Sequence, residues 1–436
     1  MSHPDILIPI ETSSRELIYK VYLCHQLALK GFHCYLGRKS YINYLIKNLK
    51  RYIYIDKGYH KGVSDEIYET IKRNDGIIVS LDEEGGVDYS DGSTLLGRYS
   101  KTLFNNSDLT FMWGNNQYEL VTNNMNKENK VEVTGHPRFE LLKPEFHYLY
   151  QDEVDKVKKR YQDFILINTN MGFGNNIKGD DFVTENYGGR FKNLDKIIAF
   201  DKKKLEAYRS LIIELSQKLN KTIVLRPHPE EDHSFYFDVF KGRKNIHVVY
   251  EGSVVPWILA SDLMIHPDCT TAIESLFVGK KPISYLPDNY PIDLVTHLPL
   301  EASECFTSKT DLFRYIKDHS LFTDMPKFEN YPFLETYFDI SSATTELITE
   351  KISQLKDSLP NNKQVSLTLK TKAFLKYKTC RLKINRSNSS GLIRNKLKGF
   401  NKYEINRLHR KINAHNSSLA SVKYQIISDS LFLFLT

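Results

Sequence analysis

The chain contains 436 residues, of which 41% are hydrophobic and 26% charged, a composition typical of soluble globular proteins and a length that exceeds one ordinary core. No apolar run reaches the roughly 18 residues needed to cross a bilayer, no signal peptide is recognisable, and five scattered cysteines form neither a disulfide framework nor a CxxC metal site. The net charge of +7 is uneven, because residues 363–436 contain sixteen lysines and arginines but only two acids, which leaves the rest of the chain acidic.

The first third of the sequence alternates short apolar runs with amphipathic stretches. Helices are predicted at 15–30 and 65–73, and strands at 6–10, 33–36, 52–55, 76–80, 109–113 and 131–134. Short strands separated by helices predict a parallel, doubly wound sheet. A proline-rich stretch at 135–144 then interrupts the pattern and indicates a connection between domains.

The alternation resumes after this connection. A long helix is predicted at 203–219, and strands at 164–168, 222–225, 247–250, 263–266 and 282–285. We therefore predict an α/β protein with two doubly wound parallel-sheet domains and a helical, basic C-terminal extension. The predicted boundaries are 1–143 for the N-terminal domain, 144–343 for the second domain, 344–360 for a closing helix and 361–436 for the basic tail.

The segment Leu225-Arg-Pro-His-Pro-Glu-Glu-Asp232 follows directly on a predicted strand. Ligands of open α/β sheets bind just beyond the carboxyl ends of the strands, so these side chains are expected at a binding site. Arg226 and His228 suit a phosphate or a carboxylate, and the prolines stiffen the loop that presents them. The alternative is a polar loop in which Asp232 caps a helix that begins near Phe235.

A second strand exit carries Met264-Ile-His-Pro-Asp-Cys-Thr-Thr-Ala-Ile-Glu274. A helix predicted to open at Thr270 and Thr271 offers backbone amides and hydroxyls to a phosphate, helped by the helix dipole. Glu274 lies about one turn further along, where a carboxylate can accept hydrogen bonds from ribose hydroxyls. The alternative is an ordinary capping box between Thr270 and Glu274.

Two further strand exits are polar. Asn168 and Asn170 belong to Ile167-Asn-Thr-Asn-Met-Gly-Phe-Gly-Asn-Asn176, where amides can bind sugar hydroxyls, although the spacing is not a dinucleotide fingerprint. Glu83 and Glu84 belong to Val79-Ser-Leu-Asp-Glu-Glu-Gly-Gly86, where adjacent carboxylates can act as acid or base. The alternative for this acidic run is a solvated turn, and no further metal ligands lie nearby, so no metal is predicted.

Taken together, these motifs resemble a known group of proteins. The segments DEEGG at 82–86, TGHPRFELL at 134–142, FILINTN at 164–170, and RPHPEE followed by HPDCTTAIES look like bacterial surface-carbohydrate biosynthesis proteins. Within that group the chain is most similar to the WbbB-like retaining β-Kdo transferases, over roughly residues 4 to 355. The resemblance implies a GT-B fold, CMP-β-Kdo as the donor substrate, and no metal or other cofactor.

The resemblance also implies roles for individual residues. Asp232 matches the carboxylate nucleophile of a double displacement through a covalent enzyme–Kdo adduct, with Glu230 or Glu231 as alternatives. Glu83 or Glu84 would be the base for the acceptor hydroxyl. The residues expected to contact the substrate or CMP are Arg226, His228, Glu231, His266, Thr270, Thr271, Glu274, Asn168, Asn170 and Ser253.

The implied partner is a lipid-linked glycan acceptor of the O-antigen or capsule type, at the cytoplasmic face of the inner membrane. The basic tail is predicted to bind an anionic membrane surface rather than nucleic acid, unless it is only a solvated extension. Three other functions stay open from the sequence. They are another CMP- or CDP-using GT-B transferase of the polysialyl- or glycerophosphotransferase kind, a nucleotide-sugar epimerase, and a non-catalytic membrane-associated assembly protein.

Overall fold

The structure is a computed structural model of the chain. We describe residues 4–60, 62–85, 93–122, 131–188, 193–287, 294–318, 331–339, 343–359 and 399–436, together with a few positions between 368 and 379. The chain divides into two compact units. The N-terminal unit contains Met1–Gly85, Gly92–Leu141 and Pro332–Thr436, and the middle unit contains Gly86–Asp91 and Leu142–Tyr331.

The N-terminal unit is built on an eight-stranded sheet. Its strands are β1 (Asp5–Ile10), β2 (His33–Arg38), β3 (Tyr52–Asp56), β4 (Ile77–Leu81), β5 (Leu109–Met112), β6 (Val131–Val133), β13 (Lys423–Ser428) and β14 (Leu431–Leu435). Its helices are α1 (Ser13–Leu29), α2 (Lys39–Asn48), α3 (Ser64–Arg73), α4 (Ser93–Arg98), α5 (Lys101–Asn106), α6 (Asn115–Thr122), α7 (Pro137–Glu140), α16 (Pro332–Tyr337), α17 (Thr344–Ser353) and α18 (Lys402–His415).

The strands of this sheet lie in the order β13-β14-β2-β1-β3-β4-β5-β6. The six strands from β1 to β6 are parallel, and all six were predicted from the sequence to within two residues. They are recognisable because a parallel strand covered on both faces needs a continuous apolar run, as in β1, which is buried along its whole length. The order reverses between β1 and β3, which is the topological switch point of this sheet.

The C-terminal extension differs from its prediction over residues 399–436. Besides the expected helix it contains the β13–β14 hairpin, in which β14 pairs antiparallel with β2 and extends the N-terminal sheet. The short apolar run Leu431-Phe-Leu-Phe-Leu435 is therefore a strand, and its buried side chains belong to the core of the N-terminal unit. The predicted boundary that set 361–436 apart as a tail is wrong for this part of the chain. Most of 361–398, where the tail is most basic, lies outside the described residues.

The middle unit is built on a six-stranded parallel sheet. Its strands are β7 (Phe164–Asn168), β8 (Thr222–Arg226), β9 (Ile246–Val248), β10 (Leu263–His266), β11 (Ile283–Tyr285) and β12 (Glu304–Phe306). Its helices are α8 (Gln151–Tyr161), α9 (Asp180–Tyr187), α10 (Leu194–Lys218), α11 (His233–Val239), α12 (Val255–Ala260), α13 (Thr271–Phe277), α14 (His297–Glu301) and α15 (Lys309–Asp318).

The strand order in the middle unit is β12-β11-β10-β7-β8-β9. The order in which successive strands are added reverses between β7 and β10, which is the topological switch point of this sheet. One face is covered by α10 and α11, whose buried side chains pack on Ile165, Ile167 and Leu225. The long helix α10 begins nine residues before its predicted start, and the short, half-exposed strand β12 escaped prediction. Among the described residues, no helix is both long and apolar enough to span a membrane.

Candidate functional site

Three predicted site residues end the three adjacent central strands of the middle unit. Asn168 ends β7, Arg226 ends β8 and His266 ends β10. Asn168 and Arg226 are register partners, so their side chains leave the sheet on the same face. Because all the strands are parallel, these ends and the loops that follow them lie at one edge of the sheet, on both sides of its switch point.

The guanidinium of Arg226 is buried beside the loop that follows β9. It donates hydrogen bonds to the carbonyl oxygens of Glu251 at 2.8 Å and Gly252 at 3.3 Å. Its central carbon lies 5.0 Å from the centre of the Trp257 ring, within the range of a cation–π contact. Burial lowers the pKa of Arg226 to about 10, so the side chain is still a cation at neutral pH.

Asn168 joins β7 to the start of α13. Its amide nitrogen donates to the hydroxyl oxygen of Thr271 at 3.1 Å, and that hydroxyl donates to the sulfur of Cys269 at 3.2 Å. The amide oxygen of Asn168 is buried and has no hydrogen-bond partner within the described part of the chain. A buried acceptor without a donor is uncommon, and at a strand exit it indicates a place for a ligand hydroxyl or N–H group.

His266 lies inside the protein rather than on a ligand surface. Its Nδ1 accepts from the backbone N–H of Cys269 at 3.2 Å, so the proton of the neutral ring is on Nε2, which lies 2.8 Å from the hydroxyl oxygen of Ser303. Burial lowers the pKa of His266 to about 3. The ring therefore holds the turn before α13 in place, and a direct role in binding remains a prediction without geometric support.

Glu231 connects the loops that follow β7 and β8. One of its carboxylate oxygens accepts from the Thr169 hydroxyl at 2.7 Å and from the backbone N–H groups of Met171 and His228, both at 3.1 Å. The other accepts from the hydroxyl of Tyr236. Burial raises the pKa of the Glu231 carboxyl, against the opposing effect of these hydrogen bonds. With no exposed surface and four internal donors, Glu231 organises the loops and is not placed to attack a substrate.

Asp232 is half-buried and caps α11, as the simpler interpretation of the sequence predicted. Its Oδ1 accepts from the backbone N–H of Ser234 at 2.9 Å and from the Ser234 hydroxyl at 2.6 Å. Within the described residues, no hydrogen bond is made by its Oδ2. One oxygen is thus held in place while the other is open, an arrangement that is compatible with both capping and nucleophilic attack.

The remaining predicted residues lie in the loops around these strand ends or in the first turn of α13. Ser253 accepts from the backbone N–H of Val255 at 3.4 Å, and Asn170 donates to the carbonyl of Asp268 at 3.5 Å. In the loops after β8 and β10, His228 is half-buried and Thr270 is exposed. Thr271 and Glu274 belong to the first turn of α13 and are half-buried. Thr270 precedes α13 but its side chain makes no capping hydrogen bond, so the alternative interpretation of this segment as a capping box with Glu274 is wrong.

A buried ion cluster beneath these loops was not foreseen. Lys204 of α10 lies 2.7 Å from Asp201 and 3.2 Å from Asp268, and all three side chains are almost fully buried. Asp201 and Lys204 are three positions apart on a helix, a spacing that usually indicates an exposed ion pair. Their burial was not predictable from this spacing, because the third member of the cluster, Asp268, comes from a loop more than sixty residues away.

In the N-terminal unit, the predicted base Glu83 is enclosed by its neighbours. It accepts a hydrogen bond from the hydroxyl of Tyr19 and forms an ion pair with Lys20 at 3.1 Å, and its second oxygen lies 3.9 Å from Nε2 of His136. Burial raises the pKa of Glu83, but the charges of Lys20 and Arg138 and the hydrogen bond from Tyr19 outweigh burial and hold it below its usual range. Glu83 therefore stays charged and inside the fold.

Its neighbour Glu84 is in a different situation. The side chain of Glu84 is 40% exposed, against 4% for Glu83. It forms ion pairs with Arg98 at 3.0 Å and with Arg15 at 3.5 Å. Of the two carboxylates that the sequence left open, Glu84 is the one that a ligand can reach.

Neither the protein-family models nor the curated protein sequences give a match to this chain. Several solved structures are similar to it. The UDP-GlcNAc 2-epimerase from Methanocaldococcus jannaschii is similar over 81% of this chain and 100% of its own, with a TM-score of 0.50 and 12% identity. A UDP-GlcNAc 2-epimerase from Neisseria meningitidis covers 81% of this chain and 100% of its own, with a TM-score of 0.47 and 13% identity. The wall teichoic acid polymerase TagF covers 81% and 88%, with a TM-score of 0.42 and 12% identity.

The chain has the GT-B fold. Both units are Rossmann-like, with doubly wound parallel sheets, and the predicted fold class is confirmed. At such low identity the similarity extends to the GT-B fold and not to a substrate or a reaction. The fold indicates where a ligand would bind. Asn168, Arg226 and the start of α13 lie at the carboxyl ends of the strands, where open α/β sheets bind their ligands.

Proposed function

We propose that this GT-B protein is a glycosyltransferase that binds a CMP-activated acidic sugar in its middle unit. The observation that carries the proposal is the buried guanidinium of Arg226, whose hydrogen bonds among the described residues go to two neutral carbonyl oxygens. The carboxylates of Glu251 and Glu274 favour the charge of Arg226 from a distance, but among the described residues neither forms an ion pair with it, and a phosphate or carboxylate of a ligand would supply a direct counter-charge. The amide oxygen of the neighbouring Asn168, which accepts no hydrogen bond within the described residues, would then accept from a ligand hydroxyl.

The choice of CMP-Kdo as donor depends on the motif resemblance. CMP carries a single phosphate and Kdo a single carboxylate, so two anionic groups would lie near Arg226, His228 and the start of α13. Glu274 lies in the first turn of that helix, and its negative charge favours the charged form of Arg226. We propose that the Glu274 carboxylate accepts hydrogen bonds from the ribose hydroxyls of the donor.

The proposed mechanism is a double displacement with retention. The open oxygen of Asp232 attacks the anomeric carbon, the bond from that carbon to the phosphate oxygen breaks, and its electron pair leaves with CMP. An acceptor hydroxyl then attacks the same carbon and releases Asp232, while its proton passes to a base. Asp232 is favoured over Glu231 by its open oxygen, and Glu84 over Glu83 by its exposure. Charge neutralisation at the departing phosphate is the main assistance that CMP requires.

We extend the proposal to a lipid-linked glycan acceptor and to an anionic membrane surface. The basic residues of 363–398 precede α18, whose first residues Lys402 and Tyr403 are exposed. Tyr403 is 72% exposed, and an aromatic ring beside basic side chains is typical of surfaces that bind lipid head groups.

Nucleotide release from a panel of donors tests the proposed function. The purified protein would be incubated with CMP-Kdo, CMP-sialic acid, CDP-glycerol or UDP-GlcNAc, with and without a glycan acceptor. We expect release of CMP from CMP-Kdo alone, and an increase of the intact mass by one Kdo residue. Nucleotide release only from CMP-sialic acid or CDP-glycerol would contradict the assignment of Kdo as the donor sugar. Conversion of UDP-GlcNAc without an acceptor would contradict glycosyl transfer and indicate an epimerase.

A further inference from the structure

Lys204 of α10 forms ion pairs that link the loops on either side of the switch point of the middle unit. Its ammonium group is buried and lies between two carboxylates, 2.7 Å from Asp201 and 3.2 Å from Asp268. Asp201 belongs to the same helix, whereas Asp268 lies in the loop between β10 and α13. Charges this deeply buried are stable only when they are paired, so the three side chains constrain one another.

Asp201 extends the connection to the loop that follows β7. Its Oδ2 accepts from the backbone N–H groups of Phe173 at 3.0 Å and Gly174 at 3.3 Å. Gly174 approaches the helix so closely that an added Cβ would lie 2.6 Å from the backbone nitrogen of Lys202. The loop is therefore held against α10 by two hydrogen bonds and by a position that only glycine can occupy.

Asp268 makes the corresponding connection on the other side of the switch point. Besides Lys204 it accepts from the backbone N–H of Thr296 at 3.4 Å, and its carbonyl oxygen lies 3.5 Å from the amide nitrogen of Asn170. Two residues later the chain reaches Thr270 and Thr271, at the start of α13. The position of Asp268 thus determines where that helix begins.

We infer that Lys204 is a positioning residue for the donor site, because it holds Asp201 and Asp268 together and so fixes the loop after β7 relative to the loop after β10. This inference rests on the proposed function, in which both loops contact the donor. Lys204 itself does not touch the ligand. Without its charge two buried carboxylates would repel each other, and the Asn168–Thr271 hydrogen bond that spans the same strand ends would lose its geometry.

The experiment compares Lys204→Met with Lys204→Arg and with a matched control, Lys221→Met. Lys221 also pairs with an aspartate of the middle unit, Asp262 at 2.7 Å, but at the amino ends of the strands and with partial exposure. CMP affinity would be measured by calorimetry, and amide hydrogen exchange would be followed in peptides that cover 170–176 and 267–273. Thermal midpoints would identify any variant that is not folded at the assay temperature.

We expect Lys204→Met to weaken CMP binding on the order of 10- to 100-fold, as misplaced binding groups do, and to speed exchange in both peptides. Lys204→Arg, which keeps the charge, should recover most of the affinity, and Lys221→Met should change neither measurement. A folded Lys204→Met protein with wild-type CMP affinity and wild-type exchange would overturn the inference. If that variant does not fold, Asp268→Asn decides, and unchanged affinity and exchange in Asp268→Asn would overturn it as well.

The two proposals fail in different ways. A wild-type protein that binds none of the nucleotides in the donor panel contradicts the proposed function, whatever Lys204 does to the loops. A wild-type protein that binds CMP, together with Lys204 variants that bind it equally well, contradicts only the positioning role. Exchange in the two loop peptides reports on the ion cluster in both cases, because it needs no ligand.

Discussion

At the scale of single residues, Asp232 combines two roles that one substitution separates. Asparagine caps helices about as well as aspartate, so Asp232→Asn should preserve the hydrogen bonds to Ser234 and leave the thermal midpoint nearly unchanged. The amide is a poor nucleophile, and we expect the rate of transfer to fall on the order of 10³-fold or more. Steady-state kinetics with CMP-Kdo, together with calorimetry showing unchanged CMP affinity, checks this.

Asp232→Ala is the control for the cap. It should lower the free energy of unfolding by about 0.5–2 kcal/mol through loss of the cap, in addition to the loss of transfer. Transfer that persists in Asp232→Asn would remove the nucleophile assignment and return attention to Glu230, because Glu231 has no open oxygen.

The cation of Arg226 has its own prediction. Arg226→Met should remove the counter-charge for the donor phosphate and weaken CMP binding by about 10- to 100-fold, while cytidine, which lacks the phosphate, should bind equally to both proteins. Because the pKa of Arg226 is about 10, CMP affinity in the wild type should not depend on this group between pH 7 and 9 and should decline above pH 10. Calorimetry with CMP and with cytidine measures the affinity of both proteins for each ligand. An equal loss of affinity for CMP and cytidine in Arg226→Met would indicate misfolding and not the loss of a phosphate contact.

The site could be predicted from the sequence at the level of loops but not of individual side chains. Strand exits with Arg226, Asn168 and Thr271 were recognisable because polar residues directly follow apolar runs. Whether a polar residue faces a ligand or another part of the protein depends on partners that are distant in the sequence. Glu231 and His266 face inward because Thr169 and Ser303, each more than thirty residues away, contact them there, and no local pattern reveals those contacts.

At the scale of secondary-structure elements, the contact between α1 and α18 depends on two neutral histidines. His25 Nδ1 donates to the carbonyl of Val21 at 2.8 Å, so its Nε2 must accept, and it lies 2.9 Å from Nδ1 of His409. Protonation of His25 would place two N–H groups against each other. Burial lowers the pKa of His25 to about 4 and also lowers that of His409.

This pair predicts a loss of stability in mild acid. The folded-state pKa of His25 is below its unfolded value of 6.5, so between pH 6.5 and about 4 the unfolded chain binds more protons and the free energy of unfolding falls as pH falls. From pH 8 to pH 5 the loss should be about 2 kcal/mol for His25 alone. Urea unfolding across this range measures it, with His25→Gln expected to show a smaller slope; an unchanged slope would contradict the prediction.

The β13–β14 hairpin gives a second prediction at this scale. Phe432 of β14 is fully buried, whereas its register partner Ile426 on β13 is 53% exposed. Phe432→Ala should therefore cost about 3–5 kcal/mol of unfolding free energy, and Ile426→Ala less than about 0.5 kcal/mol. Urea unfolding of the two variants provides the comparison, and similar small losses would show that the hairpin adds little to the sheet.

The hairpin also shows why some elements could not be predicted. The central strands are recognisable on their own, since each is an apolar run bounded by polar loops. The run Leu431–Leu435 has the same apolar character, but its partner β2 lies near the start of the sequence, and nothing local distinguishes a sheet edge from a short apolar tail. Long-range pairing decided this assignment, and sequence patterns alone do not report it.

At the scale of the whole molecule, the charge is divided between an acidic body and a basic segment. Residues 363–398 contain eleven lysines and arginines and no acid. We expect the protein to bind vesicles that contain anionic phospholipid and to dissociate as salt rises, because exposed charges are screened beyond about 8 to 10 Å. Vesicle co-sedimentation measures this.

The vesicle experiment needs variants that leave the fold intact. Truncation before α18 would remove two strands of the N-terminal sheet, so glutamine replacements of the lysines in 363–398 are the better choice. They should weaken vesicle binding without a change in thermal midpoint. Equal binding of the glutamine variant and the wild type to anionic vesicles would remove the membrane proposal.

The pairing of β14 with β2 has a consequence for the order in which the protein is made. His25 and His409, which meet in the N-terminal unit, are 384 positions apart, and the whole middle unit is encoded between them. On the ribosome, β1 to β6 emerge first, but the edge of their sheet stays open until the last hairpin is synthesised. The strands of the middle unit, β7 to β12, all lie between residues 164 and 306, so its sheet can form before the hairpin is synthesised. Nascent chains that are stalled before residue 399 should therefore expose β2 as an unpaired edge, and chaperones that recognise such edges would find it there.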